Sequence, residues 1–267
     1  MVKASEVTFG VEIECNFPST NYRAVGLQNG SYHHGLPVPG FDTWKAADDS
    51  SLRANPGYQA VEFVSPILKG KDGLVKLVEF VDWLNENGVI VNDSCGLHVH
   101  VGVAGLTDRQ INKAVSLFIL FERAFYANCG ANAGKRFVSG MCAPSQYWTG
   151  PTNRYQSLNQ KNLARNGGRT NTLEVRCYAA TVIAEDIVSA VAMATGLIAL
   201  ASDDEQPVPQ GVNYTSTVKA VKDYTAILTL KPDYMMLPDD VPAADYWDTE
   251  SVEQHGASAE AAIAARR

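Results

Sequence analysis

Residues 7–15 read Val-Thr-Phe-Gly-Val-Glu-Ile-Glu-Cys, and every odd position is apolar. That alternation is the period of a half-buried strand, with Phe9, Val11 and Ile13 on one face and Glu12 and Glu14 together on the other. Three further windows repeat it. Tyr58-Gln-Ala-Val-Glu-Phe-Val64 sets Val61 and Phe63 against Glu62. Leu97-His-Val-His-Val-Gly-Val103 sets Leu97, Val99, Val101 and Val103 against His98 and His100. Thr172-Leu-Glu-Val-Arg-Cys-Tyr178 sets Leu173, Val175 and Cys177 against Glu174 and Arg176. A parallel sheet covered on both faces would read as continuous apolar runs. Four alternating strands predict an α+β fold instead, an antiparallel sheet with helices on one face and a polar floor on the other.

Helical periodicity supplies the covering layer. Leu74, Leu77, Val78, Val81 and Leu84 form one stripe over 72–87, and Gly88 is a stop signal. A second helix is predicted over 108–128, capped by Thr107 or Asp108, a third over 184–201 and a fourth over 216–229. The apolar run Ile187–Ala201 is 15 residues long, short of the roughly 20 that span a bilayer, and reads as a buried core helix. Residues 16–57 are rich in Gly, Pro, Asn and Ser and are expected to hold little regular structure. Loops are also expected at 130–153 and around Asn166-Gly167-Gly168, with a connector over 202–213. The expected organisation is one catalytic domain over 1–237 and an acidic, then Ala-rich, peripheral tail over 238–267.

Composition narrows the classes. The 267 residues are 46% hydrophobic and 19% charged, an ordinary globular mix. The net charge of −7 leaves no broad basic footprint for nucleic acid or an anionic membrane. Cys15, Cys95, Cys129, Cys142 and Cys177 include no CxxC pair and are odd in number, which argues against a zinc knuckle or a disulfide framework. The start of the chain lacks an apolar signal core, so a cytoplasmic protein is expected and the sequons at Asn92 and Asn213 are chance matches. Gly130-Ala-Asn-Ala-Gly134-Lys135-Arg136 imitates a Walker loop but has three intervening residues, lacks the Ser or Thr, and follows a helix. His33-His34 sits in a polar stretch and reads as solvent-exposed.

The titratable sides of the four strands carry the chemistry. Each alone is ordinary: paired glutamates are usually a solvated face, and Glu-x-Arg is usually a surface ion pair. Placed in one sheet, however, Glu12, Glu14, Glu62 and Glu174 crowd one cleft. Two carboxylates about 4 Å apart repel by roughly 4 kcal/mol at an effective dielectric near 20. Divalent cations or protonation relieve that, and oxygen-rich ligation with imidazoles suits Mg²⁺ or Mn²⁺ better than zinc. Two such ions and an arginine are equipment for phosphoryl transfer. Arg154, Arg165 and Arg169 precede the fourth strand and are candidate phosphate donors.

In chain order these elements resemble a known family. Gly10-Val-Glu12-Ile-Glu14, Asp49-Ser-Ser51, Glu62-Phe-Val-Ser65-Pro66-Ile-Leu68, Cys95-Gly-Leu-His98-Val-His100-Val-Gly102 and Thr172-Leu-Glu174-Val-Arg176 are similar to the motifs of the amidoligase family, within the glutamine-synthetase-like carboxylate–amine ligases. The resemblance covers roughly 7–181. It implies a curved antiparallel sheet whose concave face binds two Mg²⁺ or Mn²⁺ ions and ATP. It implies one metal site of Glu12, His98 and Glu174, and a second of Glu14 and Glu62 completed by Asp49. His100 and Arg176 would contact the ATP phosphates and serve catalysis with Arg154, while Asn159 and Arg169 would add cofactor contacts. The implied reaction joins a small-molecule or peptide carboxylate to an amine or ammonia through an acyl phosphate. A glutamine amidotransferase is the implied ammonia source, and loops 16–57 and 130–170 are candidate lids. A separate N-terminal domain of the kind dodecameric glutamine synthetases use is not expected. A metal-dependent hydrolase using the same cluster, and a non-catalytic binding relative, are the alternatives.

Overall fold

The computed structural model describes residues 2–31, 34–127, 139–144, 150 and 153–205. Its strands are β1 (Thr8–Pro18), β2 (Leu36–Val38), β3 (Phe41–Ala47), β4 (Tyr58–Val64), β5 (Leu68–Lys69), β6 (Gly96–Gly102), β7 (Leu158–Asn159) and β8 (Thr172–Ala179). They form one eight-stranded sheet in the order β2-β3-β4-β1-β6-β8-β7, with β5 also paired to β1. Every strand pairing is antiparallel. The helices are α1 (Ser19–Ala24), α2 (Gly70–Glu86), α3 (Asp108–Ala127) and α4 (Ala184–Ala201).

The odd residues of β1, from Phe9 to Phe17, are all buried and join the core cluster beneath the helices. Leu74, Leu77, Phe80, Val81 and Leu84 of α2 meet that face, and Trp44 of β3 stacks on Phe80 with ring centroids 3.7 Å apart. Gly88, at φ +72°, reverses the chain after α2, in the left-handed region that glycine reaches without steric cost. Helix α3 opens with a reciprocal cap in which the Thr107 hydroxyl accepts the Gln110 N–H and the Gln110 amide oxygen accepts the Thr107 N–H. Helix α4 is long and apolar enough to cross a membrane by length and composition, yet residues 187–199 are all buried, against α3, α2 and β6. A helix apolar on all sides is satisfied in such a position.

Two expectations need correction. Residues 16–57 are more regular than their composition suggests: they hold the end of β1, helix α1 and strands β2 and β3. Trp44 and Ala46 enter the core from β3, while Lys45 between them is exposed. The alternation of β8 is also interrupted. Leu97 pairs with Tyr178 and Val99 with Val175, so Arg176 and Cys177 together oppose His98. This bulge returns Tyr178 to the helical side, where its hydroxyl donates to the Ala190 carbonyl at 3.3 Å. The helix expected at 216–229, the tail from 238, Cys129, the 130–136 imitation loop and His33 lie outside the described residues, whereas His34 is exposed.

Candidate functional site

Directly paired residues of antiparallel strands project from the same face. Glu14 pairs with Glu62, Glu12 with both Val64 and His98, and His100 with both Gly10 and Glu174. Asn159 of β7 pairs with Glu174 from the other side. The register therefore gathers titratable strand residues across β4, β1, β6 and β8. Arg176 adds a guanidinium 3.5 Å from His98 Nδ1 and bonds Glu174 through Nη1. Asp49 reaches the same place from the loop after β3, whose last residue, Ala47, pairs with Glu62.

Three groups of ligand atoms each converge within 4.8 Å: Glu12, Glu62 and His98; Glu12, His100 and Glu174; and Glu14, Asp49 and Glu62. The last is the set expected for a second metal. The first expected set is distributed differently, with His100 beside Glu12 and Glu174, and His98 beside Glu12 and Glu62. His98 Nδ1 lies 2.9 Å from Glu12 Oε2, so its hydrogen is committed to that carboxylate. His98 Nε2 faces Glu14 Oε1, 3.6 Å away. An imidazole nitrogen and a carboxylate oxygen that face each other in this way can share a cation. Glu62 is 1% exposed and its Oε1 has no hydrogen-bond partner among the described residues. An orphaned carboxylate oxygen amid three other carboxylates, with imidazoles adjoining, fits hard divalent ions such as Mg²⁺ or Mn²⁺.

The charges are strongly coupled. Burial and then the charges of Glu12, Glu14, Asp49 and Glu174 push the Glu62 carboxyl up to about 10. Burial raises Glu12 as well, but His100 and His98 together hold it well below its ordinary range. Burial alone would lower His100, yet Glu12 and Glu174 carry it up to about 9. Glu174 is raised by burial and lowered further by His100 and Arg176, ending below its ordinary value. In the metal-free state the cluster thus holds its proton on Glu62 and its cations on His100 and Arg176.

A family model described as "Putative amidoligase enzyme" matches residues 5–147, just over half of the chain. The chain belongs to the amidoligase family. No curated protein matches the chain in sequence. Among solved structures it is similar to a bifunctional glutathione synthetase from Pasteurella multocida, with TM-score 0.47, 8% identity, and coverage of 96% of this chain and 47% of that one. It is also similar to the complex between the prokaryotic ubiquitin-like protein Pup and its ligase PafA, with TM-score 0.45, 11% identity and coverage of 97% and 64%. The amidoligase chain spans about half to two thirds of the length of these chains.

The remaining candidates lie further out. Arg154 is half-buried with its guanidinium 5.6 Å from the Tyr155 ring centroid, Arg169 is exposed, and Arg165 lies 3.5 Å from Asp108. Asn159 is buried and donates to Glu174 Oε2 at 2.5 Å, so its amide is turned to a carboxylate of the cluster. Asn162 donates to the same oxygen at 3.0 Å, and Thr172 Oγ1 lies 3.3 Å from His100 Nδ1. Sequence reasoning missed both. Thr172 is the first residue of the amidoligase's β8, two before Glu174 on the same face, and that spacing was a usable signal. Asn162 had none, because its loop position says nothing of its partner.

Proposed function

We propose that this protein is an ATP-dependent carboxylate–amine ligase. A substrate carboxylate oxygen attacks the γ-phosphorus of ATP, ADP leaves, and an acyl phosphate results. An amine nitrogen then attacks the acyl carbon, phosphate leaves with the acyl C–O bonding pair, and the nitrogen gives up a proton as the amide forms. The observation that carries this reading is the convergence of Glu12, Glu14, Asp49, Glu62 and Glu174 with His98, His100 and Arg176 on one face of the sheet, in a chain of this family.

Glu14, Asp49 and Glu62 would hold one divalent ion, and Glu12, Glu174 and one of the two histidines another. When bound, the ions would neutralise phosphate oxygens and lower the charge barrier to phosphoryl transfer. Arg176 is held by Glu174 and by the Met141 carbonyl, 3.4 Å from its Nε, so the guanidinium is fixed in orientation before any ligand arrives. His100 is cationic at neutral pH through Glu12 and Glu174, despite burial, and can donate to a phosphate oxygen. Asn159 and Asn162 fix Glu174 through hydrogen bonds to its Oε2. Arg154 and Arg169 are the loop residues assigned to the outer phosphates. The carboxylate partner is a small molecule or a peptide, and the setting is cytoplasmic.

The test is ADP release by the wild type over a panel of carboxylates and amines with Mg²⁺ or Mn²⁺. We expect Glu12→Gln and Glu174→Gln to lose at least about 100-fold in turnover while the thermal transition survives, as removing one electrostatic stabiliser does elsewhere. Undiminished turnover in both variants would show that neither glutamate serves the reaction.

A further inference from the structure

Of the three carboxylates in the Glu14–Asp49–Glu62 group, two stand on strands and are aimed by their backbones. Asp49 alone is carried by a loop. With Glu62 protonated, repulsion between Glu14 and Asp49, roughly 4 kcal/mol at about 4 Å and an effective dielectric near 20, acts to swing the loop-borne member outward. Something must hold it in place. Before Asp49 the chain is tied by the Asp48 N–H to the Gly30 carbonyl at 3.0 Å. After it, Asp49 Oδ1 accepts the Ser51 N–H at 2.7 Å, and the loop then meets the turn that precedes β6.

Asn92 is the centre of that meeting. Its amide nitrogen donates to the Arg53 carbonyl at 2.8 Å and to Asn55 Oδ1 at 2.9 Å. Its amide oxygen accepts from Ser94 N at 2.9 Å and Ser94 Oγ at 2.6 Å. Ser94 Oγ in turn accepts the Arg53 N–H at 3.0 Å, and Asn16 Oδ1, fully buried on β1, accepts the Asn55 N–H at 2.7 Å. The same turn leads directly to Gly96, whose N–H donates to Glu14 Oε2 at 2.5 Å. One turn thus aims Glu14 and anchors the loop bearing Asp49.

We infer that Asn92 is a positioning residue that holds Asp49 within the Glu14–Asp49–Glu62 group so that all three can share one divalent ion. The inference rests on the reading of that group as a cation site. Asn92 contributes no atom to the three groups of converging ligand atoms. It acts through the loop that runs from Asp49 to Asn55, which is tied to the turn and to β1 through Ser94 and Asn16 as well. Each donor of its amide is spent on the loop and its acceptor on the turn, so alanine at this position removes both amide ties to the loop and leaves those of Ser94 and Asn16.

The test is Mn²⁺ titration of the full chain followed by electron paramagnetic resonance, with thermal melting in parallel. Wild type is expected to bind two ions. Asn92→Ala should keep one within about twofold and weaken the other about 10- to 100-fold, the usual effect of losing an outer-shell partner. In an Asp49→Ala background, Asn92→Ala should add no further loss, because its effect passes through Asp49. Arg53→Ala should leave both ions unchanged, since it removes only the exposed pair with Asp93 and keeps the Arg53 backbone. Wild-type-like titration of a folded Asn92→Ala, or losses that add in the double variant, would overturn the inference alone. Absence of Mn²⁺ binding by wild type would overturn the cation site itself. If Asn92→Ala lacks a thermal transition, Asn55→Ala, which removes one of the two acceptors, puts the same question with a smaller expected loss.

Discussion

Replacing Glu62 by Gln is expected to stabilise the metal-free protein, at a residue the proposed chemistry needs. The Glu62 carboxyl sits 1% exposed, and burial and then four neighbouring carboxylates push it from 4.5 to about 10. At pH 7 it is therefore protonated in the folded state, and glutamine matches it in shape and charge. In the unfolded chain the carboxyl ionises above its ordinary value of 4.5. A group whose folded value is raised contributes its full stability below the unfolded value and loses it as pH climbs toward the folded one. From 4.5 to pH 7 is about 2.5 units, each worth about 1.4 kcal/mol, so wild type forgoes about 3 kcal/mol at neutral pH that the variant keeps. Urea unfolding in EDTA at pH 5, 7 and 8.5 reads this directly through midpoints at equal m-values. The two proteins should be nearly equal at pH 5, and the advantage of Glu62→Gln should widen with pH. Saturating Mn²⁺ should reverse the order, because wild type gains a ligand on ionising and the variant does not. A variant that is less stable than wild type at pH 7 in EDTA, or a gap that stays constant with pH, would refute the reasoning.

Two other perturbations probe the cluster. In metal-free protein, Glu12→Gln should lower the His100 pKa from about 9 by about one unit or more, since the nearest opposing charge is gone; an unchanged value in an NMR titration would contradict the assignment. Gly168→Ala places a Cβ 2.2 Å from the carbonyl carbon and oxygen of Asn162, backbone atoms that cannot rotate aside. It should cost about 1–3 kcal/mol in denaturant unfolding, and a cost near zero would show that the loop holding Asn162 yields.

The four strands that build the site were legible because each is covered by helices on one face and carries the cluster on the other, which is what period-2 alternation records. Residues 58–64 were bounded as they occur, and 97–103 within one residue. Strand β3 was missed for a physical reason. In Phe41-Asp-Thr-Trp-Lys-Ala-Ala47 one face carries Phe41, Thr43, Lys45 and Ala47 and the other Asp42, Trp44 and Ala46, so neither face is consistently apolar. The strand is held by its ladders to β2 and β4 and by the Trp44–Phe80 stack. The bulge in β8 was invisible because it depends on what lies opposite, not on β8 itself. Within the site, glutamates and histidines two apart on a strand announced themselves, and family likeness rather than periodicity pointed to Asp49. Asn16, Asn92 and Asn162 did not announce themselves, because an amide that joins two distant loops leaves no pattern in its own neighbourhood.

Strand β1 contributes Glu12 to one side of the cluster and Glu14 to the other, as successive residues of one face. Successive same-face residues of an extended chain lie about 6.6–6.8 Å apart, twice the rise per residue. The peptide backbone acts as a ruler, and the interval between the two attachment points is a dimension that no side-chain exchange can retune. Lengthening or shortening β1 by a single residue within this stretch would turn one glutamate toward the apolar core beneath the sheet. Variation in what this cluster accommodates is therefore expected to arise in the loops around the ruler, with its length held constant.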